Sequence, residues 1–238
     1  VSATLGVRAF IERQGTCEDI GAMSDEMRRA ASVIAVREGD RQGDPEVLVL
    51  ERGAGSRFLP GYVVFPGGAV DEHDAVLASR WFGDDGEASR AAAVRELVEE
   101  AGLALTREGL VDAGDPDSLD PVHAAPPAAE QLHQLARWIA PDEVPVRFDA
   151  RFFTVVAPRG LEPAPDGGEA AHAWWASPRE LLAEWQVGAR KLYWPTYATM
   201  VELAGCGSAE AIAELTFETR EPDDDEVVRL PRSVFWED

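Results

Sequence analysis

Residues 91–103 read "AAAVRELVEEAGL", from Ala91 to Leu103. At 3.6 residues per turn, positions i, i+3 and i+4 share one side of a helix, so Glu96, Glu99 and Glu100 stand together. Ala91, Val94, Leu97, Val98 and Ala101 gather on the opposite side as an apolar stripe fit for a core. Gly102 falls where a helix C-cap is expected, and Leu103 can fold back on the last turn. The stretch therefore predicts an amphipathic helix from about Glu87 to Ala101. Repulsion between like charges four residues apart costs about 0.2–0.5 kcal/mol per pair. That is small enough for a merely solvated face, so the glutamates need their neighbours to become a site. A divalent cation is the functional reading, because hard ions such as Mg²⁺ take a few carboxylates plus substrate phosphates.

The chain around this helix has 238 residues, 45% hydrophobic, with 44 acidic and 22 basic side chains and a formal charge of −22. That length supports one domain with a real core. The acidic balance and the absence of a basic patch argue against nucleic acid as a partner. They leave room for a small phosphorylated ligand, whose charge a bound cation and local arginines can meet. No run approaches 18 apolar residues, which argues against a membrane span, and the first 22 residues lack a signal peptide's apolar region. Cys17 and Cys206 form no disulfide framework or zinc site, so a reducing cytoplasm is expected.

Along the chain, residues 1–22 read as an N-terminal extension with a short helix near Val7–Arg13, and 23–238 as a single domain. "ASVIAVRE" and "EVLVLERG" are strands joined by a turn at 39–45, and "YVVFPGGAV" is a strand broken at Pro66-Gly67-Gly68. A polar segment spans about 71–86, and 112–127 is a Pro/Asp-rich loop. "AAEQLHQLARWIAP" (128–141) is expected to be an amphipathic helix ending at Pro141. "RFDARFFTVVAP" and "AHAWWA" read as strands. "SPRELLAEW" is a helix with Ser177 as N-cap, Pro178 at N1 and Glu180 closing a capping box. "YWPTYATMVELAG" and "SAEAIAELTF" add two helical segments and "DEVVRLP" a last strand. Interspersed strands and helices give an α/β or α+β class.

Arg95-Glu96-Leu97-Val98-Glu99-Glu100-Ala101-Gly102-Leu103 resembles the signature of the Nudix hydrolase superfamily, Arg-Glu-U-X-Glu-Glu-X-Gly-U with U aliphatic, at every specified position. Glu87 stands at the signature's seven-residue gap before Arg95. The family places five residues between its glycine and this upstream glutamate, whereas eighteen separate Gly68 from Glu87. An insertion of about thirteen residues in the loop before the helix accounts for the difference, and it is expected at the lip of the site. "RFLPGYVVFPGGAVDEHD", "RWIAP…RFDARFF" and "PTYATMVEL" extend the resemblance to an insertion-bearing branch that includes the peroxisomal coenzyme A diphosphatases and bacterial relatives. Related branches carry His-X-Gly-Gln before the double glycine; here Leu59-Pro60-Gly61-Tyr62 stands there.

The resemblance implies a Nudix-type α/β/α sandwich with a mixed β-sheet and extra C-terminal helices. It implies hydrolysis of a nucleoside diphosphate linked to another moiety, with Mg²⁺ or Mn²⁺ as cofactor and coenzyme A or an acyl-coenzyme A as the branch-level substrate. Glu96, Glu99 and Glu100 are then metal ligands, with the Gly67 carbonyl completing the shell. Arg95 orients a glutamate through a bidentate pair, for which lysine is a poor substitute. Glu87 is structural at the helix start. Glu169 is the candidate general base, with His172 as a rival. Arg52 and Arg57, with Gly67 and Gly68, are candidate substrate contacts, and Arg151 a further one. Trp174 and Trp175 alternate across a strand, so at most one can face a pocket. Family precedent implies a homodimer. The competing readings are hydrolysis of another conjugate (ADP-ribose, NADH, a dinucleotide or a nucleoside triphosphate) and a non-catalytic ligand sensor.

Overall fold

The computed structural model describes residues 27–56, 59–140, 147–165 and 170–219. The expected helix at 7–13 and last strand "DEVVRLP" lie outside them. β1 (Arg28–Arg37) is the spine of the molecule. Its β-branched centre, Val33, Ile34 and Val36, is buried on both faces, as in strands covered by layers on either side. β1 runs parallel to β8 (Phe148–Val156) along one edge and antiparallel to β2 (Glu46–Arg52) at the far end of the other. That second edge then passes from β2 to β4 (Gly67–Ala69), with Ser32 opposite Gly67 and Ala31 opposite Gly68. β7 (His133–Ile139) extends the sheet beyond β8, and β9 (Ala170–Ala176) pairs β2. β3 (Tyr62–Val64) and β10 (Lys191–Leu192) complete a mixed eight-stranded sheet.

Helices cover both faces, which makes the expected α/β/α sandwich. On one side α1 (Glu72–Phe82) and α2 (Ala88–Ala101) bury Leu77, Trp81, Val94, Leu97 and Val98 with the hairpin of β5 (Leu103–Thr106) and β6 (Gly109–Asp112). On the other, α4 (Pro178–Gln186), α5 (Trp194–Leu203) and α6 (Ala209–Ala213) pack Leu181, Trp185, Met200 and Ile212 against Ile34, Val49 and Phe152. α2 ends as its sequence predicts: Gly102 is left-handed at φ 65 and returns its N–H to Leu97 and Val98. A Cβ there would meet the Ala164 carbonyl at 2.5 Å, so the glycine also permits a close chain approach.

Four expectations change. Residues 133–139 are a strand, not the interior of a helix, preceded only by a short 3-10 turn at Ala129–Gln131. The apolar spacing that mimics a helix comes from a register shift between Gln134 and Ala136, which breaks simple alternation along β8. The polar segment at 71–86 is not a loop but mostly α1, started by a capping box between Asp71 and Asp74. The supposed loop at 112–127 includes the single helical turn α3 (Asp120–Ala124). Finally, Ser177 occupies the N-cap of α4 without making the capping bond. Its hydroxyl donates instead to Asp44 at 2.7 Å, and Glu180 pairs with Arg41.

Candidate active site

A cavity of about 700 Å³ opens between the first half of β1, the β4 turn, α2 and the start of α5. The face of β8 carrying Phe148, Ala150 and Phe152 forms a further wall. Glu96, Glu99, Glu100, Gly67, Gly68 and Arg52 all line it, so six predicted positions from three chain segments meet in one place. Phe65, Tyr193 and Leu59 add to the apolar side. The cavity thus has one acidic side and one aromatic side.

The sheet explains how the glycines reach the glutamates. Pro66 accepts the Val33 N–H at 2.9 Å, which fastens the turn to β1 just as that edge leaves β2. Gly67 then donates its N–H to Glu100 Oε2 at 2.8 Å. A Cβ on Gly68 would lie 2.2 Å from Glu96 Oε1, so any larger residue there would push that carboxylate out of its present place. Arg52 Nη1 stands 3.8 Å from Glu100 Oε1 and adds positive charge at the same wall.

Arg95 organises the other two glutamates, but not by the expected bidentate bond. Its Nη1 is shared by Glu96 Oε1 at 2.9 Å and Glu99 Oε2 at 2.8 Å, one bond to each. Its fork goes to Asp74 instead, from Nε to Oδ1 at 2.9 Å and from Nη2 to Oδ2 at 3.1 Å, and Nη2 also reaches the Ala69 carbonyl. Asp74 is wholly buried. Burial by itself would lower the Arg95 pKa, but the bond to Asp74 and the fields of Glu96, Asp74 and Glu99 outweigh it and raise the pKa. Burial likewise pushes the Glu96 carboxyl above its usual range, with Arg95 offsetting part of the effect.

Asp74 is the residue that sequence reasoning missed. Glu87 keeps the seven-residue gap to Arg95, yet it pairs with Arg90 and sits at the start of α2 without capping it. Asp74 follows Gly68 after five intervening residues, the spacing the signature assigns to its upstream acid. The extra residues therefore follow that acid rather than precede it. Nor do they form the lip of the site, since nothing from α1 lines the cavity. The available signal was the glycine-to-acid spacing with Asp admitted in place of Glu.

The remaining candidates are placed as follows. Arg57 and Glu169 lie outside the described residues. His172 is exposed on β9 opposite Glu51 and does not line the cavity. Arg151 is half-buried on β8 between lining residues Ala150 and Phe152, so it faces the opposite side of the sheet. Trp175 is buried under Arg37 with its indole N–H on the Leu161 carbonyl, and Trp174 stacks under Arg190. Both tryptophans are packing residues. The Cys206 thiol is half-buried, with its pKa raised by burial.

The donor set suits a hard divalent cation: three carboxylates, backbone carbonyls beside glycines, and space kept free of Cβ atoms. Among the described residues no three His, Cys, Asp or Glu side chains already converge on one point. The hydrogen bonds give the reason, because Arg95 lies between Glu96 and Glu99 while Glu100 is turned toward Gly67. Among the described residues no helix is long and apolar enough to cross a membrane.

A curled mixed sheet between helical layers, with a glycine turn and a glutamate helix at one cavity, defines the Nudix class of fold. The NUDIX domain model matches residues 26–194, and the chain belongs to that family. A Caenorhabditis elegans protein described as "Putative nudix hydrolase 7" is 33% identical over 184 residues, covering 71% of this chain. The match spans 58% of that relative's length. The crystal structure of a NUDIX hydrolase from Alicyclobacillus acidocaldarius is 34% identical and superposes with a TM-score of 0.71, over 82% of this chain and 99% of the other.

Proposed function

We propose that this Nudix hydrolase uses Mg²⁺ or Mn²⁺ to hydrolyse the diphosphate of a nucleoside diphosphate linked to another moiety, with coenzyme A or an acyl-coenzyme A as its substrate. The observation that carries this reading is the joint placement of Glu96, Glu99 and Glu100 with Gly67, Gly68 and Arg52 on one cavity. Glu96, Glu99, Glu100 and the Gly67 carbonyl would hold the cation, which when bound neutralises phosphate oxygens and acidifies water. Arg95 keeps Glu96 and Glu99 in place, and Arg52 and Arg57 meet phosphate charge. Water adds to one phosphorus, the anhydride P–O bond breaks, and the departing phosphate leaves as an anion. Glu169 takes the proton of the attacking water; this role rests on its sequence position just before β9, whose Ala170 pairs with Arg52. The aromatic wall of Phe65, Phe148, Phe152 and Tyr193 suits the organic part of such a conjugate. The ligand is a small nucleotide conjugate, and the protein acts in the cytoplasm as a homodimer.

A hydrolysis panel tests this, using coenzyme A, acyl-coenzyme A esters, ADP-ribose, NADH, diadenosine polyphosphates and nucleoside triphosphates with each metal. Release of 3′,5′-ADP with a phosphopantetheine product is the expected result. AMP from ADP-ribose or NADH with coenzyme A untouched replaces the substrate and keeps the site. Glu99→Gln and Glu100→Gln should each cut turnover by orders of magnitude in a folded protein; unchanged turnover in both removes their role as ligands.

A further inference from the structure

The cavity has a second polar feature besides its glutamates, the start of α5. β10 runs parallel to β3 with Leu192 opposite Val63, so the chain enters α5 beside the strand that leads into the Gly67 turn. Tyr193 at the N-cap, with Pro195 and Thr196 in the first turn, lines the cavity, while Trp194 packs edge-on against Trp138. A helix start presents N–H groups with no partner inside the helix, at the positive end of its dipole. Here Tyr193 makes no side-chain capping bond, and Pro195 has no N–H to give. The Thr196 side chain makes this start unlike an ordinary one. Thr196 is 5% exposed and lines the cavity, yet among the described residues its hydroxyl has no hydrogen-bond partner. A buried hydroxyl without a protein partner is suited to a ligand that supplies one. Ser32, opposite Gly67, brings another hydroxyl to the same cavity.

We infer that the start of α5 is an anion subsite of this cavity, in which the hydroxyl and N–H of Thr196, with the positive end of the helix, hold a phosphoryl group of the conjugate. This rests on the reading of the ligand as a phosphorylated conjugate. The glutamates repel phosphate unless a cation lies between, so the subsite supplies donors that the acidic side lacks. Two sources present the same acceptor oxygens: the diphosphate itself, or a separate phosphate monoester such as the 3′-phosphate of coenzyme A.

The test titrates inorganic phosphate into the full chain, with and without Mg²⁺, and follows the backbone amide of Thr196 by NMR, alongside kcat and KM on the best substrate of the panel. The Thr196 amide should shift saturably with phosphate. Thr196→Val keeps the shape and removes the hydroxyl; it should weaken the phosphate response and raise KM by about 10–100-fold, with kcat changed less. Thr196→Ser restores the hydroxyl and should restore both. Thr199→Val is the matched control, because Thr199 is fully buried on the same helix, its hydroxyl is unpartnered and it does not line the cavity. It should leave both readouts within about twofold of wild type. Coenzyme A and its 3′-dephospho form separate the two sources: an equal penalty on both places the diphosphate at α5, and a penalty on coenzyme A alone places the monoester there. A Thr196 amide that ignores phosphate in both conditions overturns the proposal. So does a wild-type KM in Thr196→Val, or an equal loss in Thr199→Val, which would make the effect one of helix packing. A wild type that hydrolyses nothing in the panel removes the proposed reaction, and the phosphate titration then decides the subsite by itself.

Discussion

Among the described residues, two arginines fork onto an aspartate through the same pair of guanidinium nitrogens, Nε and Nη2, in different surroundings. Arg137 on β7 grips Asp149 on β8 with two bonds of 2.7 Å at the rim of the sheet, where the arginine side chain is 38% exposed and the aspartate 17%. Arg95 grips Asp74 between α1 and α2, at 12% and 0% exposure. The first pair keeps solvent on its arginine side, and Arg151 and Arg29 add weaker attraction to its aspartate. The second is embedded in a network of Asp71, Ala69, Glu96 and Glu99, and its aspartate has no water to fall back on. The same forked pairing therefore carries different consequences. At the rim the fork is a modest brace between two strands; between the helices it is a condition on both the packing of α1 and the shape of the cavity.

The largest effect should come from breaking the buried fork from the arginine side. Arg95→Met leaves Asp74 as an uncompensated buried carboxylate, for which about 3–5 kcal/mol of stability is the expected loss. Urea unfolding followed by tryptophan fluorescence reads it directly, since Trp81 is buried on the same inserted helix. Adding Asp74→Asn to Arg95→Met removes the stranded charge and should recover much of the loss. A single variant that costs less than about 1 kcal/mol would mean that water reaches Asp74, and the contrast between the two forks would collapse.

The same contrast shows why the sequence revealed the site better than its supports. The helix at 88–101, the double glycine and the strand preceding it follow from local patterns: periodicity, a glycine cap and a dense motif whose residues are neighbours in the chain. Arg52 joined them because it closes a strand of clear β-branched character. Asp74 did not, since its significance depends on a contact with Arg95, twenty-one positions away, across an acidic segment that reads as solvated loop. Leu77, Ala78 and Trp81 make that segment a packed helix, but their apolar signal is diluted by Glu72, His73 and Arg80 on its outer side. β7 was misread for a related reason. A bulge opposite β8 shifts its alternation, and a shifted alternation resembles a helical spacing until the partner strand is known.

The smallest effect belongs to the rim. Arg137→Met or Asp149→Asn should each cost no more than about 1 kcal/mol, as exposed pairs do, and less in high salt. The pH dependence sharpens this, because the hydrogen bond and charge of Arg137 hold the Asp149 carboxyl below its usual range, with burial opposing them. A depressed folded-state pKa contributes stability that is fully present above the unfolded value of about 3.9 and is lost as the pH falls through the lower, folded value. The difference in melting temperature between wild type and Asp149→Asn should therefore be constant from neutral pH to about pH 5 and shrink below about pH 4. A difference that persists undiminished at the lowest accessible pH would assign the loss to packing of β7 on β8 rather than to the ion pair, and would bring the rim fork closer in kind to the buried one.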